Sequence, residues 1–282
     1  FYMYLAPPVP HDPAQAEAQF HQRYDAARLT LPPAFQPVHP WDNGATTVRD
    51  ELLAPWPRTP DAIRKQLADY YAAITGLDHH VGRIIAALRE SGEYDHTIIV
   101  FSGDNGMSLG DHGLLGKQNL YEFGGMHVPL VIAGPGIPQG QSHALVYLFD
   151  LFITFCEFAG ATVPPETEGE SLRPFFADKN ARGRTALFTA YLESQRAVRD
   201  ERWKLIRYPQ IDRTQLFDLA ADPHELNNLA DQPTHAGTLS RLRALLQGEA
   251  TRLGDPVAWT SPVLKPVAWT PPAASEWFKP VH

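Results

Sequence analysis

Asp104 and Asn105 stand side by side where an apolar, β-branched run, Ile98-Ile99-Val100-Phe101, gives way to Ser102-Gly103. Adjacent carboxylate and amide oxygens suit a hard cation such as calcium. Ligands of open α/β sheets bind beyond the carboxyl ends of the strands, where this pair falls. A glycine-rich stretch follows and carries one cation, Lys117, within Leu115-Gly116-Lys117-Gln118. Glycines on the approach let backbone come close to a ligand, and an ammonium group there would offset charge on a transferred oxyanion. Two histidines accompany this arrangement: His11, upstream in Pro10-His11-Asp12-Pro13, and His112, between Asn105 and Lys117 in Gly110-Asp111-His112-Gly113. His112 fits a pocket rim and a loop-structural role equally well, and Asp-Asn-Gly is also ordinary turn chemistry. Together the residues read as half of a metal-assisted oxyanion-transfer site.

These residues need elements to hold them. Thr59-Pro60-Asp61 is a helix start, and Ile63, Leu67, Tyr70, Ile74, Leu77, Val81, Ile84 and Leu88 then recur every three or four residues. That pattern predicts one amphipathic helix ending near Gly92. Strands over 97–101 and 128–133 read as members of a covered parallel sheet. Residues 1–6 read as a further core strand that delivers His11, and 14–60 as a long surface excursion. Another helix is expected around 145–159. A Pro/Glu/Gly-rich connection, 161–185, separates an α/β part, 1–160, from a small α+β subdomain, 186–255. The latter has strand-like runs at 186–191, 196–199, 203–208 and 214–218, then a helix over 237–253. In the tail, 256–282, Pro256-Val257-Ala258-Trp259-Thr260 recurs as Pro266-Val267-Ala268-Trp269-Thr270. Its composition suggests an extended strap anchored by its tryptophans, or a separate binding motif.

Composition narrows the function classes. A chain of 282 residues with 44% hydrophobic and 11% aromatic residues has material for a core. Its net charge of −8 argues against nucleic acid as a partner, which would need a basic patch. The single cysteine, Cys156, excludes an intramolecular disulfide. The most membrane-like stretch, 144–163, contains Asp150 and Glu157 and suits a buried helix better than a span. The chain opens on Phe1-Tyr2-Met3-Tyr4-Leu5, as if a strand were already under way, and reads as a fragment.

The wording TIIVFSGDNG, then GDHGLLGK, then YEFGGMHVPLVIAGPGI resembles the sulfatase branch of the alkaline phosphatase superfamily, over residues 1 to about 231. The resemblance implies an alkaline-phosphatase-like α/β sheet flanked by helices, present here in part, with a small antiparallel C-terminal subdomain. It implies that Asp104 and Asn105 complete a calcium site and that Lys117 binds sulfate oxygens. His11 would contact the ester oxygen and protonate the leaving alcohol, with His112 near the substrate. Arg199, Trp203, Lys204 and residues 216–231 look like the family's C-terminal subdomain, where Asp222-Pro223-His224-Glu225 reads as a turn and packing element. Sulfatases use an oxidised Cys or Ser, a formylglycine, in a Cys/Ser-x-Pro-x-Arg motif. No such motif occurs in this chain, nor the early acidic ligand pair, and Cys156 precedes Glu-Phe-Ala-Gly. The chain thus resembles the second half of a calcium-dependent sulfuric ester hydrolase acting on an aryl, choline-like or carbohydrate sulfate, inactive by itself. A phosphonate monoester or phosphodiester hydrolase of the same superfamily, or a non-catalytic module binding sulfated glycans, is the alternative. Family resemblance also suggests export to a periplasm or the cell exterior.

Overall fold

Thr59 caps the long helix as its sequence requires: its side chain accepts the Ala62 N–H at 3.2 Å, with Pro60 in the first turn. The structure is a computed structural model that describes residues 1–178 and 180–273. After a one-turn helix α1 (Ala18–His21), this helix α2 runs Pro60–Glu90. Only its first half is buried, through Ile63, Leu67, Ala68, Ala72, Ala73 and Gly76. Ile74 and Ile84, at 40% and 41% exposure, lie open although their spacing marks them as core.

Strands β1 (Ile99–Ser102) and β2 (Leu130–Ala133) follow the predicted runs but pair antiparallel, with Phe101 opposite Val131. Both of those residues are exposed, at 42% and 58%. The expectation of a parallel pair is therefore corrected. A β-branched run signals strand and burial, but its composition carries no information on strand direction. Residues 1–6 form no strand and are exposed. An apolar run becomes a strand only where a neighbour completes its hydrogen-bond ladder.

The surface excursion is also corrected. Segment 14–60 buries Phe20, Ala34, Trp41, Ala54 and Trp56 together with His39, Asp50, Glu51 and Arg58. Periodicity is missing because backbone bonding to another loop holds this segment in place. The His112 N–H donates to Ala34 O at 2.7 Å, the Gln36 N–H donates to Gly110 O at 3.3 Å, and Phe35 bridges Asp111.

Helix α3 (Asp150–Ala159) ends on Gly160 in the left-handed conformation, and a single short helix α4 (Arg173–Ala177) punctuates the connection. Strands β3 (Leu187–Tyr191), β4 (Gln195–Arg199), β5 (Trp203–Tyr208) and β6 (Arg213–Asp218) make an antiparallel sheet in sequential order. Helix α5 (Ala236–Arg252) covers one face, placing Leu242 and Leu246 against Val198, Leu205 and Leu216. The opposite face packs on Trp41, Leu114, Leu120 and Tyr121 through Ala197, Ile206, Tyr208 and Phe217. The glycine-rich loop and the C-terminal sheet therefore share one core. Among the described residues no helix is long and apolar enough to cross a membrane.

Candidate active site

Lys117 and His11, 106 positions apart, meet: Lys117 Nζ lies 3.1 Å from His11 Nε2. His11 Nδ1 is 2.9 Å from Asp12 O, so Nδ1 carries the proton and Nε2 accepts from the ammonium group. Asp12 receives both Nη1 and Nη2 of Arg49, at 2.5 and 3.1 Å. Arg49 Nη2 also donates to Asp50 Oδ1 at 2.9 Å, and Asp50 Oδ2 accepts from Gln118 Nε2 at 2.9 Å. Gln118 Oε1 in turn accepts the Lys117 N–H at 3.1 Å. The ring His11–Asp12–Arg49–Asp50–Gln118–Lys117 closes through the Lys117 backbone N–H, so His11 is held from both sides and the Lys117 ammonium rests on His11.

The Lys117 loop is fixed from beneath by a buried carboxylate. Glu51 accepts the Leu115 N–H at 3.0 Å and the Gly116 N–H at 2.8 Å, and pairs with Arg58 Nη2 at 2.8 Å. Burial pushes Glu51 up, against the pull of the Gly116 amide and of Arg58. The same burial lowers Arg58 to about 10, against the attraction of Glu51. Gly116 is required by close approach, since a Cβ there would sit 2.6 Å from Gln118 Oε1 and 2.8 Å from Asp50 Cβ.

Asp104 is exposed and Asn105 half-buried, at the end of β1. Asp104 Oδ1 accepts the Asn105 N–H at 2.9 Å, and Asn105 Nδ2 donates to Gly106 O at 2.9 Å. The amide of Asn105 thus turns its nitrogen to the chain. The donor types fit a hard cation, but no group of three or more His, Cys, Asp or Glu able to hold a metal occurs among the described residues. Backbone bonding draws this pair toward the Lys117 loop: the Gly106 N–H donates to Gly125 O at 3.1 Å and the Ser108 N–H to Gly116 O at 3.1 Å.

His112 belongs to a different setting. It is buried, and its ring stacks on Tyr121 at 3.7 Å between centroids and 8° between planes. It lines a cleft of about 160 Å³ with His39, Tyr121, Gln215 and Glu225. Burial, helped by His39 and Lys204, lowers its pKa to about 3, so it stays neutral. His39 Nδ1 donates to His112 O at 2.7 Å. Gly113 makes this turn possible, with φ +75° and its missing Cβ only 2.4 Å from His39 N.

Sequence reasoning passed over Arg49, Asp50, Glu51, Arg58 and Gln118, because none sits in a periodic pattern. It also read Glu225 as part of a turn and packing element, and Lys204 only as part of the C-terminal subdomain, without seeing their charge cluster. Lys204 Nζ lies 3.0 Å from Glu122 Oε1 and 2.9 Å from Glu225 Oε1, and Arg199 Nη1 lies 2.5 Å from Glu122 Oε2. Burial raises Glu122, but Lys204 and Arg199 outweigh it and hold the carboxyl low. Glu225 goes up, burial there exceeding the pull of Lys204.

The family profile described as Sulfatase matches residues 1–161, and that described as N-sulphoglucosamine sulphohydrolase, C-terminal, matches 110–252. The chain belongs to the sulfatase family, type I, of the alkaline phosphatase superfamily. It is 35% identical over 233 residues to a choline-sulfatase of Rhizobium meliloti (strain 1021), covering 79% of this chain and 45% of that protein. A phosphonate monoester hydrolase from Silicibacter pomeroyi superposes with TM-score 0.73 at 29% identity, covering 86% of this chain and 54% of that one. A structure solved with its substrate D-glucosamine-2-N,6-O-disulfate superposes with TM-score 0.65 at 30% identity, covering 70% and 42%. The chain thus spans about half the length of the relatives it matches.

Proposed function

We propose that the whole protein hydrolyses a sulfate ester, with Lys117 binding the sulfuryl oxygens and His11 serving the leaving group. The 3.1 Å contact between Lys117 Nζ and His11 Nε2 carries this reading, because it puts a cation and a proton-exchanging ring at one point. An ammonium group there stabilises charge as it develops on the transferred group. A proton shared along the Lys117–His11 bond would be passed to the departing alkoxide. Calcium is the cation that the Asp104 and Asn105 oxygens would help to hold. It would supply Lewis-acid polarisation of the ester, and the whole protein would complete its shell and provide a formylglycine. His112, buried and neutral, shapes the loop instead of touching substrate. Names of relatives favour a small or carbohydrate sulfate as the substrate class. The likeness to a phosphonate monoester hydrolase keeps that activity as the second reading.

The test is Lys117→Ala in the full-length protein, assayed with matched aryl sulfate and phenylphosphonate esters. Loss of one oxyanion-stabilising group should cost roughly 100- to 1000-fold in kcat/KM. Unchanged turnover of both esters would remove Lys117 from the site, and greater wild-type efficiency on the phosphonate would favour the second reading.

A further inference from the structure

The repeated Pro-Val-Ala-Trp-Thr segment plays no part in the reaction outlined above, yet it is tied to the body at both copies; residues 274–282 of the tail lie outside the described residues. The Ser261 N–H donates to Pro209 O at 3.0 Å and the Lys265 N–H to Gln210 O at 2.7 Å. Trp259, in the first copy, lies under the guanidinium groups of Arg207 and Arg243, 4.7 and 4.4 Å from its ring centroid. The second copy reaches elsewhere. Val267 packs on the core around Trp41 and Tyr121, and the Trp269 ring meets Trp56 edge-on at 5.5 Å and 85°.

Trp56 leads directly to the Lys117 loop. Its ring carries the Arg58 guanidinium at 3.9 Å. Arg58 is fully buried, and its Nε has no hydrogen-bond partner among the described residues, so the ring face helps to set its plane. Arg58 Nη2 holds Glu51 Oε2 at 2.8 Å, and Glu51 receives the Leu115 and Gly116 N–H groups next to Lys117. The three side chains between the strap and the loop, Trp56, Arg58 and Glu51, are all buried.

We propose that Trp269 is a positioning residue whose packing on Trp56 fixes, through Arg58 and Glu51, the backbone that presents Lys117. Its bearing on catalysis rests on the reading of Lys117 as the sulfate-binding cation, whereas its bearing on the loop does not. The strap is thus part of the support of the Lys117 loop.

The experiment measures amide hydrogen exchange at Leu115 and Gly116 in the full-length protein. Trp269→Ala removes an aromatic contact of the kind that changes a local equilibrium roughly two- to tenfold, so opening of these amides should rise by that factor. Trp269→Phe, which keeps an aromatic edge, should restore most of the protection. Val263→Ala, on an exposed part of the same strap, should change nothing. A double-mutant cycle with Glu51→Gln decides whether the effect travels through the carboxylate. Non-additive changes support the relay, whereas additive ones, or unchanged exchange in Trp269→Ala, overturn it. Sulfate-ester kinetics on the same variants separate the two readings. Loosened amides with a raised KM support both. Loosened amides with unaltered kcat and KM leave the relay standing and remove Lys117 from sulfate binding.

Discussion

Acidification should strip stability from this fold well before its carboxylates are fully protonated, through His39. The ring is buried, its Nδ1–H is committed to His112 O, and its Nε2 has no partner among the described residues. Burial lowers its pKa from the ordinary 6.5 to about 4, against the smaller opposing effects of the His112 carbonyl and Asp42. Between those two values the unfolded chain binds the proton and the folded chain does not, so stability falls as pH falls. At about 1.36 kcal/mol per pH unit, the shift is worth about 3 kcal/mol. It is present in full above pH 6.5, reduced by about 1 kcal/mol near pH 5.5, and gone below about pH 4. His112, lowered to about 3 and facing His39, continues the loss further down, the two rings titrating as a pair. His39→Asn retains an amide donor near the Nδ1 position but cannot titrate, and its cavity cost does not vary with pH. Urea unfolding of wild type and variant from about pH 7 to pH 4 therefore isolates the imidazole, because carboxylate titrations cancel in the difference. A wild-type-minus-variant difference that stays flat across this window would refute the claim that burial keeps His39 neutral.

Lys204→Ala leaves Glu122 and Glu225 buried without their shared cation. It should cost about 3–5 kcal/mol, read as a fall in Tm or in the urea midpoint. Chelator-treated full-length protein should lose sulfate-ester hydrolysis and recover it with calcium more fully than with magnesium, which dehydrates reluctantly. Asp104→Ala should then raise the calcium needed for half recovery by roughly tenfold or more, and an unchanged requirement would remove Asp104 from the metal shell.

Where local rules act, residue order alone was enough to read this chain. Thr59 and Pro60 start α2 because a capping hydroxyl and a fixed φ need no distant partner. Strands β3 to β6 and helix α5 lie within a residue of their predicted ends at most boundaries, because turns punctuate alternating or amphipathic runs. The juxtaposition of a strand end with Asp104-Asn105, and the glycines around Lys117, were equally visible, since they are contiguous. So was the strap, because tryptophans on a proline-rich tail have few places to go but the body.

Tertiary structure alone decided what depends on pairs far apart in the chain. The direction of β1 against β2 follows from which partners are adjacent, and no local pattern encodes that. Segment 14–60 looked like surface because it is polar and aperiodic, yet Glu51, Arg58 and His39 are buried with loop backbone as their counterpart. Buried polar groups persist when they find hydrogen-bond partners, and those of Glu51 and His39 include backbone groups 64 or more positions away. The meeting of His11 with Lys117 is of the same kind. The sequence by itself determined which chemical groups this protein has and which local elements carry them. Only the folded chain brought a histidine, a lysine and the acidic residues that brace them to one place, because long-range hydrogen bonds, not periodicity, hold that place together.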